Sequence, residues 1–412
     1  MKTNQVDVII VGGGPAGLAA AVRLWNNGVK NILIVEREAY MGGILRQCIH
    51  DGFGVGRFGA ALSGPEYAQR FIDEVTALQI PYVTRTTVLS VSSDKVVTVV
   101  SPNGIQQYAA KAVVFAMGCR ERTRGALAIP GERPCGVFTA GVAQSYINMY
   151  NLMNGKDVII LGSGDIGMIM ARRLTLEGAK VHGVFEVMPY ASGLPRNIQQ
   201  CLNDYDIPLY LSHTVTDIHG DARLKSVTIS QVDENLQPIA GTEKEWPCDT
   251  LILSVGLIPE NELSTGAGVQ LDTRTRGALV DENLQTNIPG TFAAGNVLQV
   301  HDLVDYVSLE AEQLADGVTR YLTQGALPAC NYSVSAGQGV GYVVPQRISG
   351  TRDVTFSLRV RRPMRGCTLK IIQNGQVIAT KKLPKALPAE MERIKLPVAN
   401  LQATGDLEVC VE

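Results

Sequence analysis

A six-residue pattern in this chain returns, in type and spacing, 150 positions later. Gly12-Gly13-Gly14-Pro15-Ala16-Gly17 is matched by Gly162-Ser163-Gly164-Asp165-Ile166-Gly167. Each copy follows an apolar run, Val6-Asp7-Val8-Ile9-Ile10-Val11 in the first and Asp157-Val158-Ile159-Ile160-Leu161 in the second. A helix-like stretch comes next, starting near Pro15 or Asp165. A second run then ends in an acid: Asn31-Ile32-Leu33-Ile34-Val35-Glu36 and Lys180-Val181-His182-Gly183-Val184-Phe185-Glu186. In both copies the acid stands 19 residues beyond the last glycine.

The order strand, glycine turn, helix, strand, acid has a physical reading. Runs this apolar are strands buried on both faces, as in a parallel sheet. The first glycine makes the tight turn, the second lets backbone approach a pyrophosphate, and the third lets the helix pack on the strand. The helix then aims its N–H groups and positive dipole end at the phosphates. The acid accepts from ribose hydroxyls. Glycines at this spacing alone are weak grounds; two complete units in register are strong ones. The chain is expected to be α/β, with two Rossmann-like dinucleotide-binding domains. A flavin and a nicotinamide form the natural pair of ligands, and electron transfer between them the natural task.

The length, 412 residues, suits two to four domains. The first unit runs to about residue 122, where Ala112-Val113-Val114-Phe115-Ala116-Met117-Gly118 reads as a buried strand meeting a glycine turn. Thr250-Leu251-Ile252-Leu253-Ser254-Val255-Gly256 resembles it, and Thr291-Phe292-Ala293-Ala294-Gly295-Asn296 and a helix from about Val307 to Thr323 follow. The flavin domain is therefore expected to be discontinuous (1–122 and 249–328), with the nicotinamide domain (123–248) inserted. Within the insert, helix is expected around Ala140 to Met153 and a β-meander between Val227 and Glu245. Residues 335–412 read as a small C-terminal all-β domain: Val354 to Val360 alternates strictly, strands are expected at Thr368–Ile372, Gln376–Ala379 and Leu407–Val411, and Asn374-Gly375 signals a hairpin. Its expected role is packing or subunit contact.

Several classes are excluded. A net charge of −2 gives no footprint for nucleic acid. No apolar run reaches the roughly 18 residues of a membrane span. Met1-Lys2-Thr3-Asn4-Gln5 leads straight into the first strand, so no signal peptide is expected. The eight cysteines are scattered without a CxxC pair, as expected of reduced thiols in a cytoplasm, and point to no metal or iron–sulfur site.

These residues resemble the flavoproteins with two dinucleotide-binding domains, the broad class of glutathione reductase and thioredoxin reductase, over about residues 5 to 325. A narrower likeness runs through Gly42-Gly43-Ile44-Leu45-Arg46-Gln47-Cys48-Ile49-His50-Asp51-Gly52-Phe53-Gly54 and Gly64-Pro65-Glu66-Tyr67-Ala68-Gln69-Arg70-Phe71. It continues in Cys119-Arg120-Glu121-Arg122-Thr123-Arg124-Gly125, in Gly295 to Asp305 and in Tyr342 to Gln346. These segments are similar to a bacterial group of FAD-dependent oxidoreductases. That group accompanies a glycerol-3-phosphate dehydrogenase-like flavoprotein and a small cysteine-rich protein, with related subunits in hydroxyproline, sarcosine and opine dehydrogenase complexes. The resemblance implies that Gly12, Gly14, Pro15, Ala16, Gly17, Glu36, Arg37, Gly43, Gln47, Val88, Ala116, Gly118, Gly295 and Asn296 hold FAD. It implies that Gly162, Gly164, Asp165, Ile166, Gly167 and Glu186 hold NAD(H) as co-substrate. The implied partners are a second flavoprotein dehydrogenase and a small iron–sulfur protein.

The departures from that class carry information. Its disulfide reductases have a CxxxxC or CxxC pair, whereas here Cys48 is the one cysteine in the segment after Gly42-Gly43, near His50, and Cys201 stands alone between Glu186 and Cys248. Disulfide reduction is not expected. Asn296 stands where the usual acid of the flavin motif would be; it can still hydrogen-bond but supplies no charge. Cys48 and His50 are the candidate catalytic residues, placed near the flavin to tune it or relay a proton; alternatively they only pack the flavin domain. Arg120, Arg122 and Arg124 form either a solvated turn or a contact for phosphates or a partner's acids. His301, Asp302 and Asp305 fit the approach to a helix and flavin contacts better than a metal. Glu186 favours NAD(H), since a carboxylate accepts from a free 2′-hydroxyl and repels a 2′-phosphate, and Val187-Met188-Pro189-Tyr190 offers no arginine.

Three functions remain open at this point. The chain passes electrons between NAD(H) and a partner flavoprotein dehydrogenase, acts alone as an NADH oxidase or diaphorase, or serves as a flavin-bearing scaffold with a vestigial nicotinamide site.

Overall fold

In a computed structural model that describes residues 3–412, both apolar runs are central strands. The chain divides into two compact units, residues 1–119 with 259–412, and residues 120–258. In the larger unit the strand Thr3–Val11 lies between Ile32–Val35 and Gly104–Phe115, both parallel to it. Tyr82–Val83 extends the sheet on one side, and Val96–Ser101 and Thr87–Val91 extend it antiparallel on the other. Thr291–Ala293, after the excursion into the smaller unit, returns to pair parallel with Gly104–Phe115. Val8, Ile9 and Ile10 have no exposed surface, as expected of a strand covered on both faces. Helix Pro15–Asn26 packs on the long helix Val304–Gln324, a contact tied by Arg23 and Asn27 donating to Asp316.

The C-terminal strands belong to the same unit. They form a five-stranded sheet (Arg347–Ile348, Tyr332–Ala336, Leu407–Val411, Met364–Gln373, Gln376–Ala386) and a three-stranded sheet (Val340–Val344, Val354–Val360, Glu392–Leu396). Between them lies a separate core built on Phe356, Leu358, Leu369, Ile371 and Val409. The hairpin turns at Asn374-Gly375, both with positive φ. This layer is stitched to the segment around the flavin motif. Gln346 donates its N–H to the Val280 carbonyl and accepts the Val280 N–H on its side chain, and Arg359 reaches the Val300 carbonyl.

The smaller unit has a five-stranded parallel sheet in the order Leu209–Leu211, Lys180–Glu186, Asp157–Leu161, Thr250–Leu253, Val137–Thr139. Helix Asp165–Leu176 follows its glycine turn. The meander is His213–Gly220, Leu224–Gln231 and Lys244–Pro247, antiparallel throughout.

Two helix boundaries differ from expectation. The helix from Ala140 stops at Tyr150, not Met153, because Asn151 takes a left-handed conformation. The last helix begins at Val304, not Val307; Asp305, in its first turn, accepts backbone N–H groups of the Gly54–Arg57 segment.

Candidate nucleotide-binding sites

The glycines of each motif separate into two kinds. In the larger unit Gly12 has φ +111°, and a Cβ on it would lie 2.5 Å from the Ala116 carbonyl oxygen. A Cβ on Gly17 would overlap the Gly12 carbonyl oxygen. The fold demands both glycines. Gly14 is different: its φ is −81°, and the nearest protein atom to a Cβ there would be the Gly43 Cα at 3.8 Å. The second copy repeats the division. Cβ atoms on Gly162 and Gly167 would run into the Ser254 and Gly162 carbonyl oxygens, while a Cβ on Gly164, at φ −63°, would meet Ser254 at ordinary contact distance, its Oγ at 3.6 Å and its carbonyl oxygen at 3.8 Å. The helices that begin here have no side-chain cap, like the other α-helices among the described residues apart from Gly64–Ala77, which carries a capping box from Ser63 and Glu66. A space that no protein atom fills, at an uncapped helix N-terminus, suits a phosphate. Both seats fit a dinucleotide.

Each acid is buried and tied to the middle of its glycine turn. Glu36 Oε2 accepts the Gly13 N–H at 2.7 Å, and Oε1 the Glu38 N–H at 2.8 Å. Glu186 Oε2 accepts the Ser163 N–H at 2.9 Å and the hydroxyls of Ser163 and Ser192 at 2.6 and 2.8 Å, while Oε1 accepts the Met188 N–H at 3.0 Å. Asp165 Oδ1 accepts from the Leu194 N–H and the Asn197 side chain, at 2.8 and 2.6 Å. Ile166 is half-buried in the helix's first turn.

Of the residues expected at the flavin, Pro15, Gly43 and Gly295 lie directly against the first glycine turn and its helix. Pro15 opens the helix, where a missing N–H costs nothing. Gly43, at φ +56°, sits so close that its Cβ would be 3.0 Å from the Gly14 Cα. Gly295 lies against Ala16, and a Cβ on it would stand 2.9 Å from that side chain. Gly118, at φ +72°, accepts the Glu260 N–H. Val88 is buried in a strand that begins just after Thr86, whose N–H donates to the Glu36 carbonyl. Arg37 is exposed, and Gln47 ends the half-buried turn Gly43–Gln47. The Asn296 side chain donates to Cys119 Sγ at 3.6 Å and accepts the His301 N–H at 3.1 Å.

Cys48 donates to the Ile44 carbonyl at 3.4 Å, and burial pushes its thiol up to about 12, so it stays protonated near neutrality. His50 stacks on Phe53 at 4.9 Å between ring centroids. Arg124 is no phosphate ligand: its guanidinium donates to the carbonyls of Ile129, Pro130 and Gly131, closing its own loop. Among the described residues, Asp281, Glu282 and Cys330 place possible metal ligands together. The acids there already accept from the Asn283, Gln285 and Ser349 N–H groups.

Sequence reading missed Glu310 and the task of Asp305. Glu310 accepts the Gly295 N–H at 2.7 Å, receives the Gln299 amide, and lies 3.3 Å from His301. Asp305 accepts the N–H groups of Gly54, Gly56 and Arg57 at 3.1, 2.8 and 3.2 Å. Neither belongs to a spaced motif. Ser192 was legible: the offset of 150 carries on through Tyr40 and Tyr190, Gly42 and Ser192, and Gly43 and Gly193. Burial, then the Glu186 charge, raises the Tyr190 phenol above its ordinary range.

The chain is 25% identical over 288 residues to hydrogen cyanide synthase subunit HcnB of Pseudomonas protegens, covering 65% of this chain and 60% of that protein. It is 26% identical over 315 residues to an opine oxidase subunit from Agrobacterium tumefaciens, covering 70% of this chain and 61% of that protein. The chain thus spans about three fifths of these relatives. The T. acidophilum thioredoxin reductase structure shares the fold, with a TM-score of 0.65 and 24% identity over 78% of this chain and 99% of that one. Residues 6–314 match the family model for pyridine nucleotide-disulphide oxidoreductases. The chain belongs to that family, and is an FAD-dependent oxidoreductase linked to nicotinamide nucleotides.

Proposed function

We propose that this chain is the electron-transfer subunit of a larger dehydrogenase, moving electrons between NAD(H) and a partner flavoprotein that oxidises glycerol 3-phosphate or an amino or hydroxy acid. One observation carries the reading: the chain has two glycine-lined phosphate seats, each with its own buried acid, and no CxxC or CxxxxC pair to pass electrons on to a disulfide. Two relatives, HcnB and the opine oxidase protein, are themselves named as subunits. We assign FAD to the first seat and NAD(H) to the second, and place the protein in a reducing cytoplasm, a reading supported by eight cysteines with no disulfide between them. No helix among the described residues is long and apolar enough to cross a membrane.

Flavin chemistry accepts a hydride from a nicotinamide and releases electrons singly or in pairs. The chain's own residues bind and orient. Gly14 and Gly164 leave room for pyrophosphate at the two helix N-termini. Glu36 and Glu186 hold ribose. Asn296, fixed between Cys119 and His301, keeps a polar group beside Gly295 without adding charge. Cys48 as a neutral thiol contributes packing, not nucleophilic attack.

Purified chain and its co-purifying partners test the proposal. Pull-down from the native host is expected to recover a second flavoprotein and a small cysteine-rich protein, and substrate-to-NAD turnover is expected only when the partner is present. A homo-oligomer that alone oxidises such a substrate would sink the subunit reading. Rapid NADH oxidation by oxygen or a quinone, unaffected by any partner, would favour the stand-alone oxidase.

A further inference from the structure

The two acids occupy the same place in their motifs but differ in how fully their oxygens are used. An ionised carboxylate offers about four acceptor positions. Among the described residues Glu36 receives two hydrogen bonds, both from backbone N–H groups: Gly13 and Glu38. Glu186 receives four, two of them from hydroxyls. Those hydroxyls belong to Ser163 and Ser192. At the matching positions of the first copy stand Gly13 and Gly42, which carry none.

The strap after each acid differs in the same sense. In the first copy the Gly42 N–H donates to the Gly13 carbonyl, a backbone-to-backbone bond of 2.8 Å. In the second, the Ser192 N–H donates to Ser163 Oγ at 2.9 Å, and Asp165 Oδ1 takes the Leu194 N–H and the Asn197 amide. Where the second copy has Asp165, the first has Pro15. Gly193 lies so close to the start of the helix that a Cβ would be 2.9 Å from the Asp165 nitrogen. Side chains that can rotate thus hold the second strap, whereas backbone holds the first.

We propose that Ser163 and Ser192 are positioning residues that make the second seat release its dinucleotide, while their absence lets the first seat retain one. Ribose hydroxyls reaching Glu36 find open acceptor positions. Ribose hydroxyls reaching Glu186 must displace a serine hydroxyl that already sits there, so each new bond is made at the expense of an old one. The net gain per bond is small, and dissociation is correspondingly fast. A resident flavin and an exchanging co-substrate then follow from one motif, separated by two hydroxyl groups. The inference rests on the assignment of NAD(H) to the second seat.

The test uses the full chain and its Ser163→Ala, Ser192→Ala and Ser192→Thr variants. Affinity for ADP-ribose and NADH is measured by calorimetry, dissociation by stopped-flow, and FAD content by absorbance. Each alanine variant is expected to bind both ligands on the order of 5- to 10-fold more tightly, the weight of about one hydrogen bond. Slower release is expected alongside, with FAD content unchanged. Ser192→Thr restores the hydroxyl and is expected to behave as wild type. Ser192 is exposed, so its alanine variant tests the idea even if the buried Ser163 variant folds poorly. Unchanged or weaker binding in Ser192→Ala, with FAD retained, overturns the inference and leaves the second seat a nucleotide site. Failure of wild type to bind either ligand overturns the assignment of that seat as well.

Discussion

Gly12 and Gly14 stand two residues apart and answer to different masters. Gly12 is fixed by its left-handed backbone and the Ala116 carbonyl, whereas a side chain on Gly14 would meet no protein atom closer than 3.8 Å. Gly14→Ala is therefore expected to fold, at a cost within about 1 kcal/mol for a poorer N-cap, yet to purify without flavin. Melting of the apoprotein and the ratio of visible to ultraviolet absorbance measure the two effects, and a fully yellow variant would count against the first seat. At the second seat, Glu186→Gln removes the charge but keeps an acceptor. The preference for NADH over NADPH is expected to narrow by about 1–3 kcal/mol, read from the ratio of kcat/KM values; a wild type that prefers NADPH contradicts the reading of Glu186. Cys48→Ser is expected to leave flavin binding and NADH-to-dye transfer intact. Its signature lies in stability. The thiol's value is raised from about 8.5 in the unfolded chain to about 12 when folded. Its contribution is thus complete below the unfolded value and is lost as pH rises toward the folded one. Wild type should lose stability faster than Cys48→Ser in that alkaline window, seen by denaturant unfolding at several pH values. The glycines and both acids could be read from sequence because spacing encodes them. The state of the Glu186 oxygens could not, since it depends on where two hydroxyls point.

Elements were easiest to read where periodicity was strong and hardest where a distant side chain sets a boundary. The alternation of Val354–Val360 gave that strand its limits, and Asn374-Gly375 gave its hairpin. The start of the Val304–Gln324 helix escaped: Asp305 in its first turn is engaged with residues some 250 positions earlier in the chain, which no local pattern marks. Asp305 there receives three backbone N–H groups of the Gly54–Arg57 segment. Asp305→Ala strands those donors in a partly buried place, and a loss of about 1–3 kcal/mol is expected, with faster amide exchange confined to residues 54–57. Unchanged exchange in that segment would mean that the helix, not the carboxylate, positions the loop.

At the scale of the molecule, the repeat at 150 residues pointed to two Rossmann-like folds, and the return of Thr291–Ala293 to the first sheet makes the larger unit discontinuous. The attachment of the C-terminal strands was not legible, because Gln346, Arg359 and Ser349 reach backbone and acid groups at Val280, Val300 and Glu282 that no local pattern marks. The isolated chain is expected to oxidise no glycerol 3-phosphate, proline or sarcosine, since we assign both recognised seats to dinucleotides. The most direct test of the central claim, that one chain carries a resident flavin and a second, nicotinamide-binding seat, is an anaerobic titration of the purified protein with NADH, followed in the visible flavin band. Stoichiometric bleaching is expected in wild type, and a flavin that is still bound but no longer bleached in Gly164→Ala. A colourless wild type after incubation with FAD, or a Gly164→Ala protein bleached as readily as wild type, would contradict it.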